Sequence, residues 1–166
     1  MSERIETTAI RNLIHNEEYC RKVLPFIKEE YFTDRLEKLI FTEIYGFVNK
    51  YNNLPTKESL SIEMNTNKGV SEGEYKKMNE IISSLNPEPI NLDWLVETTE
   101  TWCKDRAIHN AILGGIQILD GKDKDHTPEY LPELLSEALS VSFDQKVGHD
   151  YLLESKERYE YYNRKE

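Results

Sequence analysis

Two cysteines in 166 residues, Cys20 and Cys103, exclude a disulfide framework, and each falls inside a stretch of helical periodicity, where a reduced core thiol is expected. Glycine and proline are scarce, seven and six, and most stand at joints between apolar-periodic segments. No apolar run is long enough to span a bilayer. The N-terminal Met1-Ser2-Glu3-Arg4-Ile5-Glu6 lacks the apolar stretch of a signal peptide, so a cytoplasmic protein without membrane contact is expected. Basic residues are the minority, 21 against 31 acidic, for a net charge of −10. Nucleic-acid affinity begins with neutralised phosphates, and this chain offers no basic stripe for it. What remains is 38% apolar residues, enough for a helical core, within a mean hydropathy of −0.69.

The catalytic inventory is equally thin. No G-x-x-x-x-G-K-[ST] phosphate loop occurs; Gly121-Lys122-Asp123 reads as a loop tip. His15, His109, His126 and His149 lie in four separate elements, without the spacing of a metal site. Asp123-Lys124-Asp125-His126 lacks the glycine and terminal glutamate of a calcium loop and reads as a solvated turn. Glu17-Glu18 and Glu29-Glu30 are adjacent and diverge on a helix, so they are surface charge rather than an acid–base pair. No catalytic residue, metal ligand or cofactor is therefore assigned to this chain.

The periodicity is helical almost throughout. Ile5, Ala9, Ile10, Leu13 and Ile14 draw one face. Asn16 is placed to cap a short helix that ends near Pro25. Thr33 or Asp34 opens a third, with a stripe through Leu36, Leu39, Ile40, Ile44, Phe47, Val48 and Tyr51. Asn52 to Pro55 is a turn, and Thr56 caps a helix carrying Leu60, Ile62 and Met64. Ser71 and Glu74 form an S-x-x-E capping box for the next, with Tyr75, Met78, Ile81, Ile82 and Leu85. Pro87 and Pro89 then break the chain. Asn91 caps a long helix from Leu92 to about Asp120, and Pro132 suits the first position of a shorter one, 133–141. The expected fold is all-α: a compact helical globule over 1–86, an antiparallel helical hairpin over 91–143, and a joint plus linker helix over 144–166. Trp94 and Trp102 are expected to pack between globule and hairpin.

The hairpin carries more apolar surface than one neighbour can cover. At about 100° per residue, Ala107, Ile108, Ala111, Ile112, Gly114, Gly115, Ile116, Ile118 and Leu119 span roughly 200°. A surface helix needs little more than about 100°. Arg106, His109, Asn110 and Gln117 gather on the other side, with Leu113 among them. The second arm, with Leu134, Leu135, Ala138, Leu139 and Val141, covers part of the arc; the globule or another chain must cover the rest. Gly114-Gly115 either lets another backbone approach or breaks the helix. The candidate oligomer interface is Ala107, Ile108, Ala111, Ile112, Gly115, Ile116, Leu119, Leu135 and Leu139.

Beyond the polar joint 144–150, Leu152, Ser155, Tyr159 and Tyr162 recur at i, i+3, i+7 and i+10, one stripe along a helix. Glu154, Lys156, Glu157, Arg158 and Glu160 occupy the other side. An isolated helix of this length is marginal in water, so the stripe is expected to dock on another module or subunit, or else on the chain's own body.

The order Ala9-Ile10-Arg11-Asn12-Leu13-Ile14-His15-Asn16, Val23-Leu24-Pro25, Glu30-Tyr31-Phe32, Leu39-Ile40-Phe41-Thr42-Glu43-Ile44 and Asn53-Leu54-Pro55-Thr56 resembles the N-terminal domain of DnaB-type replicative helicases. Asp105-Arg106-Ala107 and Asn110-Ala111 in the first hairpin arm support the likeness. The run from Pro132 to Asp144, followed by Val147-Gly148-His149-Asp150-Tyr151, is similar to the end of that domain in tailed-phage helicases. The resemblance implies a collar domain whose hairpins pair, giving a trimer of dimers above a hexameric motor ring. It also implies recruitment of primase and helicase loader, and a linker helix docked on a neighbouring motor domain. ATP and magnesium would belong to that motor, which would follow the linker; the chain ends first, in a bacterial host's cytoplasm if phage-encoded. The competing reading is a free-standing helical adaptor or regulator of phage replication. On either reading direct DNA binding is weak: a fluorescence titration with single-stranded DNA at physiological salt should find no sub-micromolar affinity.

Overall fold

Local capping chemistry sets the helix starts. The Asn16 side chain accepts the Tyr19 amide, Asp34 that of Glu37, and Thr56 and Ser71 head reciprocal capping boxes with Ser59 and Glu74. Asn91 accepts the Trp94 amide at 2.8 Å. The computed structural model describes residues 4–143. Their elements are α1 (Ile5–His15), α2 (Glu17–Val23), 3₁₀ turns at Leu24–Phe26 and Glu29–Tyr31, α3 (Arg35–Tyr51), α4 (Lys57–Asn65) and α5 (Glu72–Ser84). After the proline pair come α6 (Leu92–Leu119), a 3₁₀ turn at Pro128–Tyr130 and α7 (Leu131–Leu139). Among the described residues there is no strand, so the fold is all-α. The linker-helix residues Leu152, Ser155, Tyr159 and Tyr162 lie outside the described residues. No described helix is long and apolar enough to cross a membrane.

The chain divides into two units, residues 1–110 and 111–166, with the division inside α6. In the first unit the faces drawn by periodicity converge. Ala9, Ile10, Leu13 and Ile14 of α1 are buried, as are Tyr19, Cys20 and Val23 of α2, Ile40, Phe41 and Ile44 of α3, and Leu60 and Met64 of α4. Met78, Ile82 and Leu85, at α5 and its end, and Leu95, Trp102 and Cys103 of α6 complete the core. Trp102 meets Phe32 edge-on at 5.0 Å and Tyr31 at 6.1 Å, while Phe32 lies 5.1 Å from Phe41.

Three apolar side chains depart from the periodic reading, the first being Tyr51, which closes α3 and is exposed. Ile62 is exposed: it stands two residues, about 200°, from Leu60, whose face it cannot share. Trp94 is also exposed rather than packed inside, because it lies about 100° from the buried stripe of Leu95, Thr99, Trp102 and Cys103. The last helix begins two residues earlier than 133, at Leu131, because the Pro128–Tyr130 turn runs directly into it.

Several buried polar groups in this unit are hydrogen-bonded inside it, whereas the Trp102 Nε1 is buried without a hydrogen-bond partner. Thr99 Oγ donates to the Leu95 carbonyl at 2.7 Å and receives the Tyr19 hydroxyl at 2.7 Å. Glu37 on α3 takes Arg4 and, at 3.3 Å, Thr7, which ties the entry to α1 to the third helix; burial still raises its carboxyl above the ordinary value. Burial also pushes the Cys20 thiol up to about 11, and Cys103 and Tyr31 to about 12, and raises Tyr19 as well. These groups are neutral in the fold and ionise more readily in the unfolded chain, so the unfolded state releases protons first as pH rises. Stability is then complete below the ordinary thiol value of 9 and falls between it and about 12. Each such group costs about 1.4 kcal/mol per pH unit within its own window. Urea midpoints measured from neutral pH to pH 10.5 should therefore drop on the alkaline side, and Cys103→Ala should flatten the drop. A midpoint independent of pH in that range would contradict this origin of alkaline lability.

Candidate functional site

The second unit is small. It contains the last residues of α6, the loop that follows, and α7. Gly121 takes a φ of +75°, which turns the chain out of α6. Asp123 then organises the loop: its carboxylate accepts the amides of Asp125 at 2.8 Å and His126 at 3.1 Å, and bonds the His126 ring at 3.0 Å. The His126 ring bond, with the Asp125 amide second, holds this carboxyl below its ordinary value. His126 stacks on Tyr130 at 4.2 Å, just before α7. Among the described residues no group of three or more metal-binding side chains gathers, here or elsewhere.

The two arms meet through small residues. Ala111, Gly115 and Ile118 of α6 and Ala138 of α7 are buried. A Cβ on Gly115 would stand 3.1 Å from a Leu131 methyl, and one on Gly114 would stand 3.8 Å from a Leu134 methyl. The helix runs unbroken through the glycine pair, and Gly115 makes room for the Leu131 side chain of α7, while a Cβ on Gly114 would meet Leu134 at ordinary contact distance. Leu131 is the contact that periodicity missed, because the helix was expected to begin after it.

The larger apolar side chains of the two arms are left partly exposed. Ile112 is 52% exposed, Ile116 48%, Leu119 64% and Leu139 59%, and Leu135 is exposed as well. Their directions follow from about 100° per residue. On α6, Ile112, Ile116 and Leu119 lie within about 60° of one another and about 100° from the buried Ala111–Gly115–Ile118 stripe. On α7, Leu135 and Leu139 lie about 80° from the Leu131–Leu134–Ala138 side, in the same rotational sense along their own helix. Because the arms run antiparallel, equal rotations turn both stripes toward the same side. The hairpin thus has one apolar face, built from five of the nine candidate interface residues. Ala111 and Gly115 are used between the arms, and Ala107 and Ile108 are half-buried residues of the first unit. Leu113, placed by periodicity with the polar side, is exposed away from this face.

The polar side of α6 has its own task within the first unit. Arg106 Nε donates to the Tyr31 carbonyl at 2.9 Å and Asn110 Nδ2 to the Glu30 carbonyl at 3.0 Å, with Arg106 also donating to Asn110 Oδ1 at 3.3 Å. These side chains anchor the 3₁₀ turn at Glu29–Tyr31. Their clustering on the helical wheel was visible in the sequence, but their partners were not.

No family model matches the chain. It is similar to the DnaB-like replicative helicase of Enterobacteria phage T4, with 32% identity over 151 residues, covering 86% of this chain and 32% of that protein. That identity supports a DnaB-like relationship and a role related to the replicative helicase. The chain spans about a third of the length of the relative it matches.

The glycines give a direct check of the hairpin contact. Gly114→Ala meets only ordinary van der Waals contact and gains helix propensity, so it should stabilise by up to about 1 kcal/mol. Gly115→Val should destabilise, because its Cβ already requires Leu131 to shift. Urea unfolding of both variants distinguishes them; equal effects at the two positions would remove Leu131 as the cause.

Proposed function

We propose that this chain acts as the N-terminal collar of a DnaB-type replicative helicase, organising the ring rather than hydrolysing nucleotide. Its hairpins pair through the face of Ile112, Ile116, Leu119, Leu135 and Leu139, and three pairs stack above the motor ring. Primase and loader are recruited to the collar. The stripe of Leu152, Ser155, Tyr159 and Tyr162 meets a neighbouring motor domain. ATP and magnesium serve that motor. The observation that supports this reading most is the one-sided apolar face on a chain related to a T4 helicase.

Magnitudes favour reversible pairing. Fully burying an Ile or Leu is worth roughly 1.5–3 kcal/mol, so five half-exposed side chains leave on the order of 5 kcal/mol unused. Two copies bring about 10 kcal/mol to an interface, against roughly 4–15 kcal/mol for lost freedom. The surplus is at most about 6 kcal/mol, which corresponds to a dissociation constant of tens of micromolar or weaker for the hairpin face alone, with higher order supplied by the rest of the ring.

Sedimentation equilibrium over a range of concentrations tests the proposal. The wild-type mass should climb toward a dimer or beyond. Ile116→Asp and Leu119→Asp should stay monomeric while keeping the helical circular dichroism of the wild type, since both side chains are exposed within the hairpin. A wild type that remains monomeric at high micromolar concentration would remove hairpin pairing.

A further inference from the structure

The hairpin face can be covered by a second copy or by a segment of its own chain. A second copy brings like charge against like. Four acidic and four basic side chains cancel between Tyr151 and Glu166, so the net charge of −10 lies wholly in residues 1–150. Two such bodies repel on approach, whereas the segment carrying Leu152, Ser155, Tyr159 and Tyr162 is neutral.

Reach and length also match. The arms are antiparallel, so α7 ends beside the start of the exposed α6 stripe. Leu139, itself on the face, stands four residues before Phe143, the last described residue. The nine residues from Phe143 to Leu152 span up to about 30 Å when extended. As a helix, Leu152 to Tyr162 measures about 15 Å, against about 10 Å from Ile112 to Leu119. The segment therefore leaves at one end of the face and is long enough to reach the other. Tyrosine rings suit a face of half-exposed aliphatics at the surface, since they bury an apolar body and keep the hydroxyl in water.

Tethering adds a magnitude. A segment held by a short joint meets the face at an effective concentration on the order of millimolar, while a second copy arrives at its own micromolar concentration. A contact too weak to hold between free molecules is then about half occupied within one chain.

We propose that residues 151–162 lie as a third helix across Ile112, Ile116, Leu119, Leu135 and Leu139 of their own hairpin, and so hold back pairing. The release rests on the collar reading: a neighbouring motor domain that takes the tyrosine stripe uncovers the face, which couples motor engagement to collar pairing. Both copies must be open to pair, so a cover occupied half the time weakens pairing about fourfold.

The test uses the full 166-residue chain beside the double variant Tyr159→Ser, Tyr162→Ser. Isotope-filtered NMR is recorded on mixed labelled and unlabelled chains, at a concentration where sedimentation gives the monomer mass. Overhauser contacts from the Tyr159 and Tyr162 rings should reach the Ile116 and Leu119 methyls within one chain, and these methyls should shift in the variant. By sedimentation the variant should pair about fourfold more tightly than the wild type. The proposal is overturned if the rings show no contact with the face, if the contacts run only between different chains, or if wild type and variant give the same methyl spectrum and the same dimer constant. Intrachain contacts in chains that never pair, wild type or variant, would instead uphold the cover and remove hairpin pairing.

Discussion

A layer of two helices can bury only the side chains that point at each other. In the hairpin that inner strip is filled by Ala111, Gly115, Ile118 and Ala138 with the flanks of Leu131 and Leu134. The small residues let the arms come close, and the larger aliphatics are left to one side. Ile112, Ile116, Leu119, Leu135 and Leu139 therefore form an apolar face that no further layer of the described hairpin covers. Most globular units solve this with a third element. Here the solution proposed is another copy, so the side chains that hold the arms together and those offered to the assembly are different ones.

The first unit is built differently. Its core draws on all six helices, and several of the polar groups taken inside it are bonded within one helix or across one helix contact. Thr99 serves both its own helix and Tyr19, and Asn12 donates to Thr8 one turn earlier. The thiols and phenols kept in this core are neutral because charge there has no water to solvate it. Arg106 and Asn110 spend their hydrogen bonds on the carbonyls of an irregular turn, so the first unit presents a fixed surface at 25–31 rather than a mobile loop.

Much of this was legible in the sequence because it depends on neighbours in the chain. Asn16, Asp34, Thr56, Ser71 and Asn91 each cap the helix that spacing assigned to them, since a cap bonds an amide two or three residues away. Ile62 and Trp94 were misread because hydrophobicity alone does not fix which side of a helix is covered. A window of a few residues holds several possible stripes, and only the elements packed against the helix select one. Phe41 was overlooked as core for the same reason: it flanks the stripe of Ile40 and Ile44 and is buried by Phe32, which comes from another part of the chain.

Periodicity, capping residues and punctuation by Pro87, Pro89 and the Asn52–Pro55 turn determined the all-α class and the order of helices, since backbone geometry repeats over a few residues. The excess apolar arc of the hairpin was also written in the sequence, as was the acidic balance behind the expectation of weak DNA binding. Tertiary structure decided which part of that arc is spent between the arms and which faces outward. It also gave Gly115 its reason, a Leu131 methyl at 3.1 Å from where a Cβ would stand, and brought residues 25–30 against α3. Those outcomes depend on distances between segments far apart in the chain, and no local spacing encodes them.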